Sequence, residues 1–209
     1  PGLTWSDGEA VTSDDVRFTI EAIKNPAYRS PLKSNFSLVQ IETIDARTVR
    51  LTLPTTTTPF IENLGIGLLP AHVWAAVDPK NALLTELNRK PVSVGPYAFE
   101  ALAKGPAGHL LSYTVARRTE GVPAVPHIEK LVFKFYPDYA EALDALKNRN
   151  HDGLSLLPPD AFTNAAKMRR ELARYTLRLP QYTAIFFNPK ANEALAHANV
   201  RKAFSLAID

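Results

Sequence analysis

Apolar and polar residues alternate with two different periods along this chain. In VTSDDVRFTIEAIKNP the apolar positions recur every three or four residues, which predicts a helix over residues 14–24. Thr12 or Ser13 is placed to cap it, Asp14 and Asp15 suit the positive end of the helix dipole, and Pro26 closes the run. LVQIETID and RTVRLTL instead alternate every second residue and are rich in β-branched side chains, with a polar turn near Ala46 between them, so they predict a β-hairpin. The four threonines that follow are too few to mean disorder and continue or leave the second strand.

The second half of the chain alternates between the two periods. After the chain-turning pair Gly95-Pro96 the residues read as a strand, HLLSYTVARR and KLVFKFYP as two more, and DYAEALDALKNR as a helix. HDGLSLL reads as a short buried strand, PDAFTNAAKMRRELARY as a helix, and RYTLRLP and YTAIFFNP as strands. NVRKAFSLAID carries one apolar stripe through Val200, Ala203, Phe204 and Ala207, with Asn199 placed to cap it. Asp209 then sits at the end the dipole makes negative, where a natural terminus would show Gly, Asn or a basic residue, so the chain is expected to stop inside a helix. The pattern implies a mixed or parallel sheet flanked by helices, with a boundary at Gly95 separating a smaller helix-plus-hairpin region, 1–94, from a lobe with a helix-flanked mixed sheet, 95–209.

Composition excludes several classes. A chain of 209 residues, 45% hydrophobic and 22% charged, is neither a disordered tail nor a membrane span, and no apolar run reaches about 18 residues. Seventeen prolines, many at element boundaries, argue for short elements rather than a long helical bundle. The net charge of +3 is modest and the basic residues are scattered apart from Arg117-Arg118 and Lys167–Arg170, the second group on a predicted solvated helix face, so no nucleic-acid patch is formed. The absence of cysteine removes disulfides and thiol chemistry but fits either a reducing or an exported setting. The opening PGLTWSDG is not an export signal.

Candidate chemistry is sparse. The five histidines show no HxxxH or HxxE spacing, no serine sits in a GxSxG turn, and no cofactor loop is present: GIG at 65–67 lacks the third glycine of a dinucleotide loop and reads as a turn. Asp14 and Asp15 are adjacent on a helix, point roughly 100° apart and do not converge on a substrate, so they read as capping residues. Tyr182 and Phe186 would share one face of a strand and Phe187 the other. Burial on both faces explains the phenylalanines, whereas Tyr182, with a polar handle at the strand start, fits a core or a ligand role equally.

In order along the chain, five segments resemble the family 5 extracellular solute-binding proteins, the peptide, dipeptide and nickel receptors of ATP-binding cassette (ABC) importers. WSDGEAVTSDDVRFTIEAI is similar to the family's F-x-D-G-x-P-[LV]-T-A-D-D-V segment and helix, LLPAHVW to [IL]-[IVL]-P-K-H-[IV]-W, and PVSVGPYAFE to P-V-G-T-G-P-Y. FFNPK and NVRKAFSLAID resemble the closing F-N-T and R-V-R-x-A-[LI]-x-x-A-I-D pattern. Departures fall in loops: RRTEGVPAVPHIEK stands where R-N-P-x-Y-W is usual, so a packing aromatic is absent; PKANEALAHAN replaces a double proline, and RNHDG replaces G-E-x-D.

The resemblance implies an α/β fold, a truncated periplasmic-binding-protein-like type II (cluster C-like) lobe plus a smaller α+β region, from an internal piece of a longer receptor. It implies a non-enzymatic, monomeric, cofactor-free substrate-binding component that captures a small peptide or similar solute and hands it to ABC permease subunits. Such a receptor is periplasmic or extracytoplasmic, touching the membrane only through the permease or a lipid anchor outside this sequence. It places Tyr182, Thr183 and Asn188 beside the ligand, the PPD turn near a hinge, and Gly95, Pro96 and Tyr97 at a structural lobe crossover. The alternative implied by the same fold is a ligand-sensing domain fused to a DNA-binding regulator. A hydrolase would need a convergent nucleophile and base, and none is visible.

Overall fold

In the computed structural model the described residues are 2–55, 58–158, 161, 173, 175–176 and 184–207. The predicted helix 159–175, the predicted strand 174–180 and the site residues Tyr182 and Thr183 lie wholly or mostly outside them. The chain divides into two compact units, Pro1–Thr163 and Asn164–Asp209.

The first unit begins with helix α1, Ser13–Lys24, where it was predicted. The Asp15 carboxylate reaches back to the Thr12 amide at 2.9 Å, closing the first turn, and Lys24 suits the negative end. Two short helices follow elsewhere in the unit, α2 (Lys33–Phe36) and α3 (Ala71–Trp74). The predicted hairpin is present as antiparallel strands β1 (Gln40–Asp45) and β2 (Thr48–Thr52), turning at Ala46 and Arg47, with Ile41 opposite Leu51. Ile20 and Ile23 from α1, Phe36 from α2 and Val39 form the buried core, and Ile41, Leu51, Phe60 and Ile66 pack against it. The one-sided apolar stripe of α1 thus meets the one-sided hairpin, and burying each such side chain contributes roughly 1.5–3 kcal/mol.

Strands β3 (Tyr97–Lys104), β4 (Leu110–Arg117) and β5 (Lys130–Lys134) make one antiparallel sheet in the order β3-β4-β5. Val115 sits opposite Phe99 and Leu131, and Tyr113 opposite Leu102 and Phe133, so these six share a face. Helix α4, Tyr139–Lys147, follows, capped by Asp138, whose carboxylate accepts from the Glu141 amide at 2.9 Å. Its Ala142, Leu143, Ala145 and Leu146 are buried.

One expected strand is absent. Residues 151–157, HDGLSLL, pair with no other strand among the described residues. Leu156 has a φ of 58°, in the left-handed region that an extended strand cannot contain, and its carbonyl accepts from the Tyr139 hydroxyl at 2.9 Å. An apolar run becomes a strand only when a neighbour supplies the ladder, and here a side chain takes that carbonyl instead.

In the second unit the described part of YTAIFFNP, residues 184–189, is in no ladder, and Phe186 is exposed rather than buried. Phe187 packs on Phe204 with ring centroids 5.5 Å apart. Phe204 belongs to the final helix, Ala198–Leu206, which starts one residue before the expected cap: Asn199 lies inside it and His197 holds the cap position. The preceding 3-10 turn, Glu193–Ala196, explains the difference, because it is itself capped by Asn192 and delivers the chain directly into the helix.

Candidate functional site

Of the three residues expected beside a ligand, Asn188 is among the described ones. It is exposed; its side-chain oxygen accepts from the Lys190 amide at 3.1 Å and its carbonyl from the Ala191 amide at 3.2 Å. Asn188 therefore closes a turn with its oxygen, leaving its amide NH2 group, two donors, for any other partner.

The segments that look most distinctive in the sequence converge on polar networks in the first unit. Asp15, nearly sealed from solvent, accepts three hydrogen bonds: from the Trp5 indole at 3.2 Å, from the Thr12 amide, and from the Ala71 amide at 2.8 Å. Thr19, one turn along α1, donates to the Asp15 carbonyl at 2.7 Å and accepts from the Leu69 amide at 2.9 Å. Together they tie WSDG, the start of α1 and LLPAHVW into one body. The capping role predicted for Asp15 is present but is one bond of three. A buried indole N–H needs an acceptor, and that requirement was the available signal for the larger role. Asp14, by contrast, is exposed and pairs with Arg17 at 3.3 Å.

On the rim of this body the His72 ring lies 2.8 Å from the Asp7 carboxylate. Partial burial works against charge on Asp7, but hydrogen bonds from His72 and the Glu9 amide outweigh it and hold its pKa below the ordinary carboxylate value. Burial alone pushes the Tyr113 hydroxyl up.

A second network surrounds the expected crossover. The Arg118 guanidinium donates to the carbonyls of Thr4, Trp5, Ser93 and Gly95, its amide donates to the Pro96 carbonyl at 2.9 Å, and the Ser93 hydroxyl donates to the Tyr97 carbonyl at 2.9 Å. The Tyr97 hydroxyl donates to the Ile128 carbonyl at 3.0 Å. These bonds fix the backbone on both sides of Gly95. Among the described residues no group of three His, Asp or Glu side chains is placed to hold a metal ion, and no helix is long and apolar enough to cross a membrane.

A hairpin packed under a capped helix, an antiparallel three-stranded layer and helices held by buried polar ties make a mixed α/β scaffold, and solved type II periplasmic binding proteins share this fold. The chain belongs to the bacterial extracellular solute-binding proteins, family 5, whose middle-region model matches residues 1–209. It is 29% identical over 150 residues to a candidate ABC transporter peptide-binding protein of Brucella ovis, a match covering 69% of this chain and 27% of that one. The oligopeptide-binding protein AppA of Bacillus subtilis is 24% identical over 212 residues, covering 100% of this chain and 38% of AppA. The AppA structure, solved with a nonapeptide, shares the fold with a TM-score of 0.70, covering 80% of this chain and 33% of that chain. The substrate-binding protein CtaP of Listeria monocytogenes gives a TM-score of 0.69 at 29% identity, covering 80% of this chain and 34% of that one. The chain thus spans roughly a quarter to two fifths of the length of these relatives.

Proposed function

We propose that this chain is a section of the substrate-binding component of an ABC importer, a monomeric receptor that captures oligopeptides or dipeptides outside the cytoplasm and delivers them to a membrane permease. The observation that carries this reading is the family match along all of residues 1–209, and the peptide-binding names of the Brucella ovis and Bacillus subtilis relatives support the choice of cargo. Such a receptor needs no covalent chemistry; it has to bind, close and present. The buried Asp15 and Thr19 side chains fit that role, since their bonds to the Thr12, Leu69 and Ala71 amides fix backbone.

Within this reading the division at Gly95 separates a helix-plus-hairpin region with its own core around Ile20, Ile23, Phe36 and Val39 from the layer that begins with β3. Tyr182, Thr183 and Asn188 line the cargo cleft. Tyr182 offers an apolar ring and one hydroxyl, the combination suited to a peptide whose side chains vary while its backbone does not. The test is calorimetric titration of the full-length receptor that contains this section, and of its Tyr182→Phe and Tyr182→Ala variants, with a diverse peptide pool; the section alone is expected to bind peptide poorly, because it supplies only part of the cleft. The expected result is peptide binding by the wild type and a loss of about 1–3 kcal/mol for alanine, with the melting temperature of the free protein little changed. Unchanged affinity in both variants removes Tyr182 from the site, and a wild type that binds no peptide removes the receptor reading.

A further inference from the structure

Two stretches far apart in sequence, Thr4–Trp5 and Ser93–Gly95, meet at a single side chain. Nη2 of Arg118 lies 2.9 Å from the Thr4 carbonyl, 3.0 Å from the Thr4 hydroxyl and 2.9 Å from the Trp5 carbonyl. Nη1 lies 3.3 Å from the Ser93 carbonyl and 3.2 Å from the Gly95 carbonyl. Each terminal nitrogen therefore grips one stretch, and the planar guanidinium sets the separation between them. We propose that Arg118 is a positioning residue: it fixes where the β3–β5 layer joins the helix-plus-hairpin region and so sets the backbone conformation at Gly95 between them.

Three observations support the assignment. All five acceptors are neutral, and Arg118 takes part in no ion pair among the described residues, so the side chain acts by shape and donor direction rather than by charge pairing. The loop after β4 is built flush against the clasp: Gly121 has a φ of 65°, its carbonyl accepts from the Thr4 amide at 3.1 Å, and a Cβ there would meet the Thr4 hydroxyl oxygen at 1.9 Å. Residues 118–127, RTEGVPAVPH, contain no Phe, Tyr or Trp and no Leu, Ile or Met that could hold the junction by packing instead. A lysine at 118 would carry the same charge but concentrates its donors at one point, so it can hold one stretch and not both.

The link from this junction to cargo rests on the receptor reading above; the clasp itself does not. Hydrogen exchange on the protein and its Arg118→Lys and Arg118→Ala variants tests the clasp. Protection of the Thr4 and Ser93 amides is expected to fall about tenfold or more in both, with Ile20 and Ile23 in α1 unchanged, and millimolar ethylguanidinium should restore it in Arg118→Ala where ethylammonium does not. Wild-type protection at Thr4 and Ser93 in Arg118→Lys overturns the proposal, and so does an equal loss at Ile20 and Ile23, which would mean only general destabilisation. In the full-length receptor, peptide affinity of Arg118→Lys is expected to be about tenfold weaker; affinity equal to wild type overturns the coupling to the crossover. A wild type that binds no peptide counts against the receptor reading, and the exchange result still decides Arg118.

Discussion

The indole N–H of Trp5 donates to Oδ2 of Asp15 at 3.2 Å with both side chains almost wholly buried, at 1% and 3% exposure. Asp15 is thereby a buried carboxylate held by three N–H donors, and each donor belongs to a different part of the chain. A buried charge is tolerated only when its hydrogen bonds are complete, and here completing them also fastens the segments that supply them.

Replacing Asp15 by alanine orphans the Trp5, Thr12 and Ala71 donors at once. The expected cost is about 3–5 kcal/mol, read as a lower urea midpoint with an unchanged slope. Asp15→Asn keeps one acceptor oxygen and should cost less. Equal stability of Asp15→Ala and wild type would show that the network contributes nothing.

Thr19→Val keeps side-chain shape but removes the acceptor of the Leu69 amide. We expect a loss of about 1–2 kcal/mol, and a double-mutant cycle with Asp15→Asn should be non-additive, because both residues hold the Leu69–Ala71 stretch. Strict additivity would mean the two contacts are independent.

Asp7 gives a pH dependence with a definite sign. Its folded pKa is depressed, so its contribution is fully present above the unfolded value near about 3.9 and is lost as pH falls through the folded one. Because both Asp7 and His72 are about a third exposed, solvent screening keeps the contribution below about 1 kcal/mol. Stability of wild type minus Asp7→Asn, measured from pH 2 to 6, should therefore rise with pH and level off. A difference that is flat across this range would remove the interaction.

Leu156 holds a left-handed backbone, φ 58°, and is 85% exposed, so it meets steric strain without compensating burial. Leu156→Gly should stabilise the protein by about 0.5–1 kcal/mol, the strain relief exceeding the added chain entropy. Tyr139→Phe, which removes the hydroxyl bonded to the Leu156 carbonyl, should move stability the other way. A lower melting temperature for Leu156→Gly would show that Leu156 is not strained.

Asn188→Asp retains the acceptor used by the Lys190 amide, whereas Asn188→Ala does not. Alanine should cost about 0.5–1 kcal/mol and aspartate almost nothing. If Asn188 also meets cargo through its amide donors, aspartate should weaken peptide binding while leaving stability intact, and calorimetry separates the two effects.

Much of the first unit was legible because its signals are local. Helix α1, the β1–β2 hairpin, strands β3 to β5 and α4 each carry their own period and their own start or stop residues. The seven residues of HDGLSLL carry apolar content but pair with no strand among the described residues, and a strand is defined by its partner. Asn199 satisfied the rule for a cap, yet the turn before it already delivered the chain in helical register.

By itself, then, the amino-acid order determined where the chain turns helical or extended in most of the first unit, which face of α1 is apolar, and the family to which it belongs. Tertiary structure decided what the polar residues are for. Asp15 draws its donors from 10 and 56 positions away as well as from its own first turn, and Arg118 draws acceptors from 114 positions away. Periodicity reports interactions within a turn or a strand pair, whereas a buried acceptor takes its donors from whichever groups the fold brings within hydrogen-bond reach, and no local pattern in the sequence encodes that choice.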